Sequence, residues 1–184
     1  MGLIRLNNQS LTDVTTLPAA DGSSLTGVSA GKVLQVVSTE KLGAFTTTSN
    51  TPVDITGMSV SITPSSTSSK ILVMATCGAV CQTSAGQACE IFLMRDSTLI
   101  HRSSATDGAT RATTVHNGNV NYDVSSMALH TVDSPATTSQ VTYKLRMSTQ
   151  DSGTACFNRR GDDTGGNNSF AKGAAEITVM EIEG

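Results

Sequence analysis

Serine and threonine make up roughly a quarter of this 184-residue chain, so hydroxyl nucleophiles are abundant and, by themselves, uninformative. A hydrolase needs one of them beside a base that is oriented by an acid. Among the three histidines, only His116 near Asp123 and His130 near Asp133 lie close to a carboxylate in sequence. No Gly-x-Ser-x-Gly elbow and no phosphate-cradling glycine loop is present. The acidic run "RRGDDTGG" (159–166) offers Asp162 and Asp163 to a cation, but it lacks the alternating ligands and distal glutamate of a calcium loop and reads as a solvated turn. Glu176, Glu181 and Glu183 crowd the C-terminus, where they read as strand-end solvation rather than a glycosidase pair. Cys77 and Cys81 lie four apart inside an apolar run. On a strand that spacing separates their Cα atoms by roughly 13 Å, beyond the ~7 Å a disulfide tolerates. The histidines are scattered, so the four cysteines read as buried thiols and not as zinc ligands. The expectation is a chain with no catalytic residues, no metal and no cofactor.

Binding chemistry has better candidates. Two long polar segments, "RSSATDGATRATT" (102–114) and "DSGTACFNRRGDDTGGNNSF" (151–170), read as surface loops. The second gathers Phe157, Asn158, Arg159, Arg160, Asp162 and Asn167, with Phe170 close behind. A ring beside planar polar side chains is the chemistry that reads a sugar, which offers an apolar face and fixed hydroxyls. The alternative is that the two rings tuck into the core.

The elements that must carry these loops are strands. "MSVSIT" (58–63) alternates Met58, Val60 and Ile62 against Ser59, Ser61 and Thr63, and Pro64 stops it. "VTYKLRMS" (141–148) sets Val141, Tyr143, Leu145 and Met147 against Thr142, Lys144, Arg146 and Ser148. "VLQVVS" (33–38) and "LGAFTTT" (42–48) flank "TEK" as a hairpin, "EIFLMR" and "TLIHR" flank Asp96-Ser97 as another, and Asn117-Gly118 is a third hairpin signal. Further strands are "SMALHTV" (126–132) and "AAEITVMEI" (174–182), and no segment has the period of an amphipathic helix. Eight to ten short strands with regular turn signals predict an all-β protein, an antiparallel β-sandwich or barrel. With no tryptophan, two tyrosines and four phenylalanines, its core must be aliphatic.

Two strands are apolar on both faces. In 70–80 one row is Ile71, Val73, Ala75, Cys77 and Ala79, and the other is Leu72, Met74, Thr76, Gly78 and Val80. In 174–182, Ile177 and Val179 oppose Thr178, Met180 and Ile182. Apolar rows of this kind mark interfaces. Leu72, Met74, Val80, Met180 and Ile182 are therefore expected at contacts between copies in a closed ring such as a trimer. The alternative is that loops or the N-terminal segment cover them.

Residues 1–30 differ from the rest. Leu6, Leu11, Leu17 and Leu25 are widely and irregularly spaced, and Pro18, Gly22 and Gly27 punctuate the segment. The segment reads as an extended arm preceding a sandwich over 31–184, either a disordered tail or a tether docking its leucines into another protein. Net charge is −3 with no basic cluster, which argues against nucleic acid as a partner. No stretch reaches the ~20 apolar residues of a membrane span, and no N-terminal apolar run suits a secretory signal.

The blocks "TPVDITGMSVSITPSSTSSKILVM", "FLMRDSTLI", "DSPATTSQVTYKLRM", "FNRRG" and "ITVMEI", preceded by the linker-like "PAADGSSLTGVSAGKVLQV", together resemble phage tail-fibre and virion-appendage proteins. The resemblance implies a jelly-roll head similar to the tumour-necrosis-factor and complement-type trimers, with the C-terminal strand near the threefold axis. It also implies a place on the phage particle surface and an arm that docks other virion proteins. The head loops would then face a host-surface glycan or protein. The chain carries no long shaft, so a short fibre tip and a capsid decoration or knob protein both fit.

Overall fold

The computed structural model describes residues 32–104, 112–118, 120–150, 153–163 and 172–184. The leucine-bearing arm (Leu6, Leu11, Leu17, Leu25) lies outside the described residues, as do Asn167 and Phe170. The described residues form eleven antiparallel strands: β1 (Val33–Lys41), β2 (Phe45–Thr47), β3 (Val53–Ile62), β4 (Lys70–Gln82), β5 (Ala88–Arg95), β6 (Thr98–His101), β7 (Thr114–Asn117), β8 (Val124–Asp133), β9 (Val141–Thr149), β10 (Ala155–Phe157) and β11 (Ala175–Ile182).

They form two sheets. In the first, β11 and β10 follow one another along a single edge of β4, and β8 occupies the other edge. Outside them β1 pairs with β11 and β2 with β10, so β1 and β2 act as one interrupted strand. In the second, the order is β3, β9, β5, with β6 and β7 sharing the far edge of β5. Counting interrupted strands once gives four positions per sheet, and successive positions alternate between sheets except at β5 and β6/β7, which are neighbours in the second. This is the double Greek key of a jelly-roll sandwich.

The alternations read from the sequence set the faces. Val141, Tyr143, Leu145 and Met147 of β9 enter the core, as do Met58, Val60 and Ile62 of β3 and Ile177 and Val179 of β11. The two-residue hairpin at Asp96-Ser97 joins β5 to β6, and Asp96 takes the positive φ (52°) such a turn needs.

Two other turn signals resolve differently. "TEK" lies inside β1, because pairing with β11 carries that strand to Lys41, and β2 turns to β10 instead of folding back on β1. Asn117-Gly118 leads from β7 in the second sheet towards β8 in the first, so the chain crosses between sheets there. β3 also begins earlier than its clean alternation, at Val53, with an irregularity in its pairing between Asp54 and Ser59 and Gly57 at φ 85°.

Polar side chains tie the sandwich at its ends. The Tyr143 hydroxyl, at the centre of the second sheet, donates to Asp133 Oδ2 of the first sheet (2.7 Å). Arg95 Nη1 donates to both Asp133 oxygens (2.9 and 2.7 Å). At the opposite end of β4, the buried Gln82 amide donates to Thr149 Oγ1 (2.5 Å) across the sheets and accepts from Thr83 N–H (2.8 Å). The inner row of β11 ends on Glu181, which is fully buried instead of solvated as its place near the C-terminus suggests. Its carboxylate accepts from Ser65 N–H (2.7 Å), Ser65 hydroxyl (2.6 Å) and the Gln35 amide (2.6 Å). Burial pushes its pKa up, but these donors outweigh that and bring it down from 4.5 to about 2.

A carboxylate whose folded pKa lies below its unfolded value stabilises the fold above the unfolded pKa and loses that contribution as pH falls through the folded one. The part of the stability due to Glu181 is therefore expected to decline between pH 4.5 and about 2. At neutral pH, Glu181→Gln should lower the melting temperature by about 5 °C. Over the acid window it should flatten the melting-temperature profile relative to wild type, as measured by thermal unfolding across a pH series.

Candidate functional site

The outer face of the first sheet is where the structure gathers the residues expected at an interface. Register alone builds a row across four strands: Val36 opposes Met180, Met180 opposes Leu72, and Leu72 opposes Val132. Val36 (54%) and Val132 (58%) are strongly exposed, while Met180 and Leu72 are half-buried. On one side of this row lie Ile182 and the exposed Val33, beside Lys70, whose ammonium donates to Ser134 Oγ (2.9 Å). On the other side Ser38, Thr178, Met74 and His130 form the next row, followed by Glu40, Glu176, Thr76 and Ala128. A shallow depression lined by Met74, Thr76, Glu176 and Thr178 marks the change from apolar to acidic. The face is thus apolar through its middle, basic at one end and acidic at the other.

Val80 does not belong to it. The β4–β8 register shifts between Cys77 and Val80, so the faces swap. Val80 then enters the core, fully buried, opposite Phe157. Beyond the shift, the outer face of β4 is roofed. The chain at 172–174 crosses Gly78 so closely that a Cβ on Gly78 would stand 2.7 Å from Ala174 N and 2.9 Å from Gly173 Cα, and closer still to Ala174 O. Loops therefore cover 78–82, whereas Leu72 and Met74 stay half-buried among the described residues.

The loop residues expected to bind a ligand divide in the same way. Phe157 is fully buried in β10, part of the main core. Asn158 is buried too (1% exposed); its left-handed φ of 58° turns the chain, and its side-chain amide donates to Lys41 O (2.8 Å). Neither presents a surface to a ligand, because pairing of β10 with β4 and β2 draws them inward. Arg159, Arg160 and Asp162 stay half-buried over the end of the first sheet. Arg160 Nε meets Asp162 Oδ1 (3.0 Å), and its guanidinium lies 5.8 Å from the Tyr122 ring centroid.

Of the histidine–aspartate pairs, His116 reaches only the backbone oxygen of Asp123 (3.1 Å), while His130 lies on the exposed outer row and Asp133 is held by Arg95 and Tyr143. A charged dish on the second sheet is internally matched: Asp54 pairs Lys144 (2.7 Å) and Arg146 (3.0 Å). Among the described residues no group of three or more His, Cys, Asp or Glu is placed to hold a metal ion, and no helix is long and apolar enough to cross a membrane.

Fold and face together define a jelly-roll β-sandwich with an apolar outer sheet face. No protein-family model and no curated protein matches the chain. Among solved structures, one titled "Structure of infectious bursal disease virus Gx strain" is similar over 81% of this chain and 36% of its own, at 16% identity and a TM-score of 0.39. At that score the likeness carries no argument, and the fold rests on the strand order itself.

Gly78→Ala should destabilise the head by about 2–3 kcal/mol, because backbone at Gly173 and Ala174 has no room to retreat. Urea unfolding of the variant against wild type measures it, and an unchanged midpoint would show that the roof does not pack on Gly78.

Proposed function

We propose that this chain is a non-enzymatic virion structural protein. In this reading a homotrimeric jelly-roll head, held to the particle by the N-terminal arm, forms a short fibre or fibre tip that meets the host surface. The carrying observation is the four-strand row Val36–Met180–Leu72–Val132, whose ends Val36 and Val132 are exposed among the described residues. A second copy is the partner that fits it. The face is basic at Lys70 and acidic at Glu40 and Glu176, so in a closed ring of three copies the apolar middle would be buried while the charged ends orient the contact. The sequence resemblance to phage appendage proteins supplies the virion setting and the trimer.

A second reading, a capsid decoration protein without a ligand, draws support from the loop itself. Phe157 and Asn158 are buried, and Arg160 is matched by Asp162, which leaves little on the 157–162 segment for a sugar to engage.

Met180→Asp is expected to dissociate the assembly while the head keeps its fold, whereas Val80→Asp should unfold the head, since Val80 fills the core. Sedimentation velocity and circular dichroism separate these outcomes, and an unchanged oligomer for Met180→Asp contradicts the placement of the interface. Antibody labelling of particles is expected at the tail; labelling of the head would favour decoration, and unlabelled particles would refute a virion role. A chain lacking residues 1–30 should fold and assemble but fail to enter particles.

A further inference from the structure

Cys81 and Cys156 are directly opposed in the β4–β10 pairing, a juxtaposition the sequence gives no sign of. Two residues to one side Thr83 N–H donates to Thr154 O (3.1 Å), and two residues to the other Asn158 N–H donates to Ala79 O (2.6 Å). Antiparallel pairs alternate, so Cys81–Cys156 is also a hydrogen-bonded pair, with Cα atoms about 5.5 Å apart. That falls within the ~4.4–6.8 Å span of a disulfide. Both side chains lie on the face of the sheet opposite Val80, Ala155 and Phe157, beneath the 158–163 segment, and both are fully buried. Cys77 and Cys89, by contrast, sit within the main core, where burial raises both thiols, Cys77 to about 12.

We propose that Cys81 and Cys156 are a redox site, a dithiol that closes to a disulfide when the chain meets an oxidised low-molecular-weight disulfide. The bond staples β10, and with it the 158–163 segment, to the middle strand of the first sheet. The two thiols are chemically unequal. A hydrogen bond from Cys81 favours the Cys156 thiolate, burial opposes it, and the Arg159 guanidinium adds to the favourable side. Cys81 is held protonated by the same hydrogen bond and by burial.

Cys156 is therefore the attacking sulfur. Its thiolate displaces one thiolate from the small disulfide, leaving a mixed disulfide on Cys156. Cys81 then gives up its proton to the departing thiolate and attacks the Cys156 sulfur, expelling the second thiolate. In balance, two protein thiols and one small disulfide become one protein disulfide and two small thiols. Arg159 thus gains a role that sugar binding did not require: it lies beside the reactive sulfur and favours its thiolate. The inference stands on strand register and burial and does not depend on the virion reading.

The experiment treats the reduced full-length protein with oxidised glutathione. The expected product has lost two hydrogens by intact mass, and its digest contains a peptide joining Cys81 to Cys156. Its melting temperature should rise by about 10 °C, because the closed loop between the two cysteines is long. Dithiothreitol should reverse that rise, and Cys156→Ser should abolish both effects. Refolding the denatured chain in a glutathione redox buffer provides a second route that bypasses the roof and should give the same bond. A different cysteine pairing, a stable glutathione adduct on Cys156, or no disulfide after refolding would each overturn the proposal.

Discussion

Most of this structure turns on β4, a strand that contacts both flanking strands of its sheet and is apolar on both sides. Its inner row, Ile71, Val73, Ala75 and Cys77, packs against the second sheet. If the alternation simply continued, Val80 would face outward. The register shift after Cys77 reverses the faces instead, so Val80 turns inward while Cys81 turns to the side roofed by the loops. The reversal coincides with the point where β11 gives way to β10 along the edge of β4. One local irregularity thereby ends the open apolar face, brings Phe157 into the core and places two thiols opposite each other.

The sandwich is otherwise closed by polar groups that are individually costly to bury and are matched in place. Asp133 joins the sheets at one end through Arg95 and Tyr143, and Gln82 joins them at the other through Thr149. Glu181 completes the inner row of β11 only because Ser65 and Gln35 meet it with three donors. These ties compensate for a small aromatic content: the core has Tyr143 and Phe157 among aliphatic and sulfur side chains.

The sequence disclosed whatever depends on local alternation. The rows of β9 could be assigned residue by residue, as could the Asp96-Ser97 hairpin and, apart from Glu181, the rows of β11, because face and turn geometry are encoded within a few neighbouring residues. Glu181 reads as solvated because its buried donors come from distant segments. The apolar outer residues Leu72, Met74, Met180 and Ile182 were legible for the same reason. Features that depend on distant pairing were not. β10 is only three residues long and sits between glycine- and asparagine-rich stretches, so nothing local distinguishes it from loop. Asn158 consequently reads as a surface group, and Phe157 stays between a ligand-facing ring and one tucked into the core, the alternative the structure shows. Val80 was misassigned because a bulge leaves no mark in an apolar run, and the exposed Val36 and Val132 gained significance only when register aligned them with Met180 and Leu72. The Cys81–Cys156 pairing joins strands far apart in sequence and could not be inferred from spacing.

A sheet face that is greasy in the middle and oppositely charged at its two ends is the basis for reading this chain as one part of an assembly. Sedimentation equilibrium of the full-length wild-type protein over a wide concentration range tests that most directly. The account predicts a species of three times the 19.0 kDa chain mass. A single 19.0 kDa species persisting at the highest concentrations would contradict it.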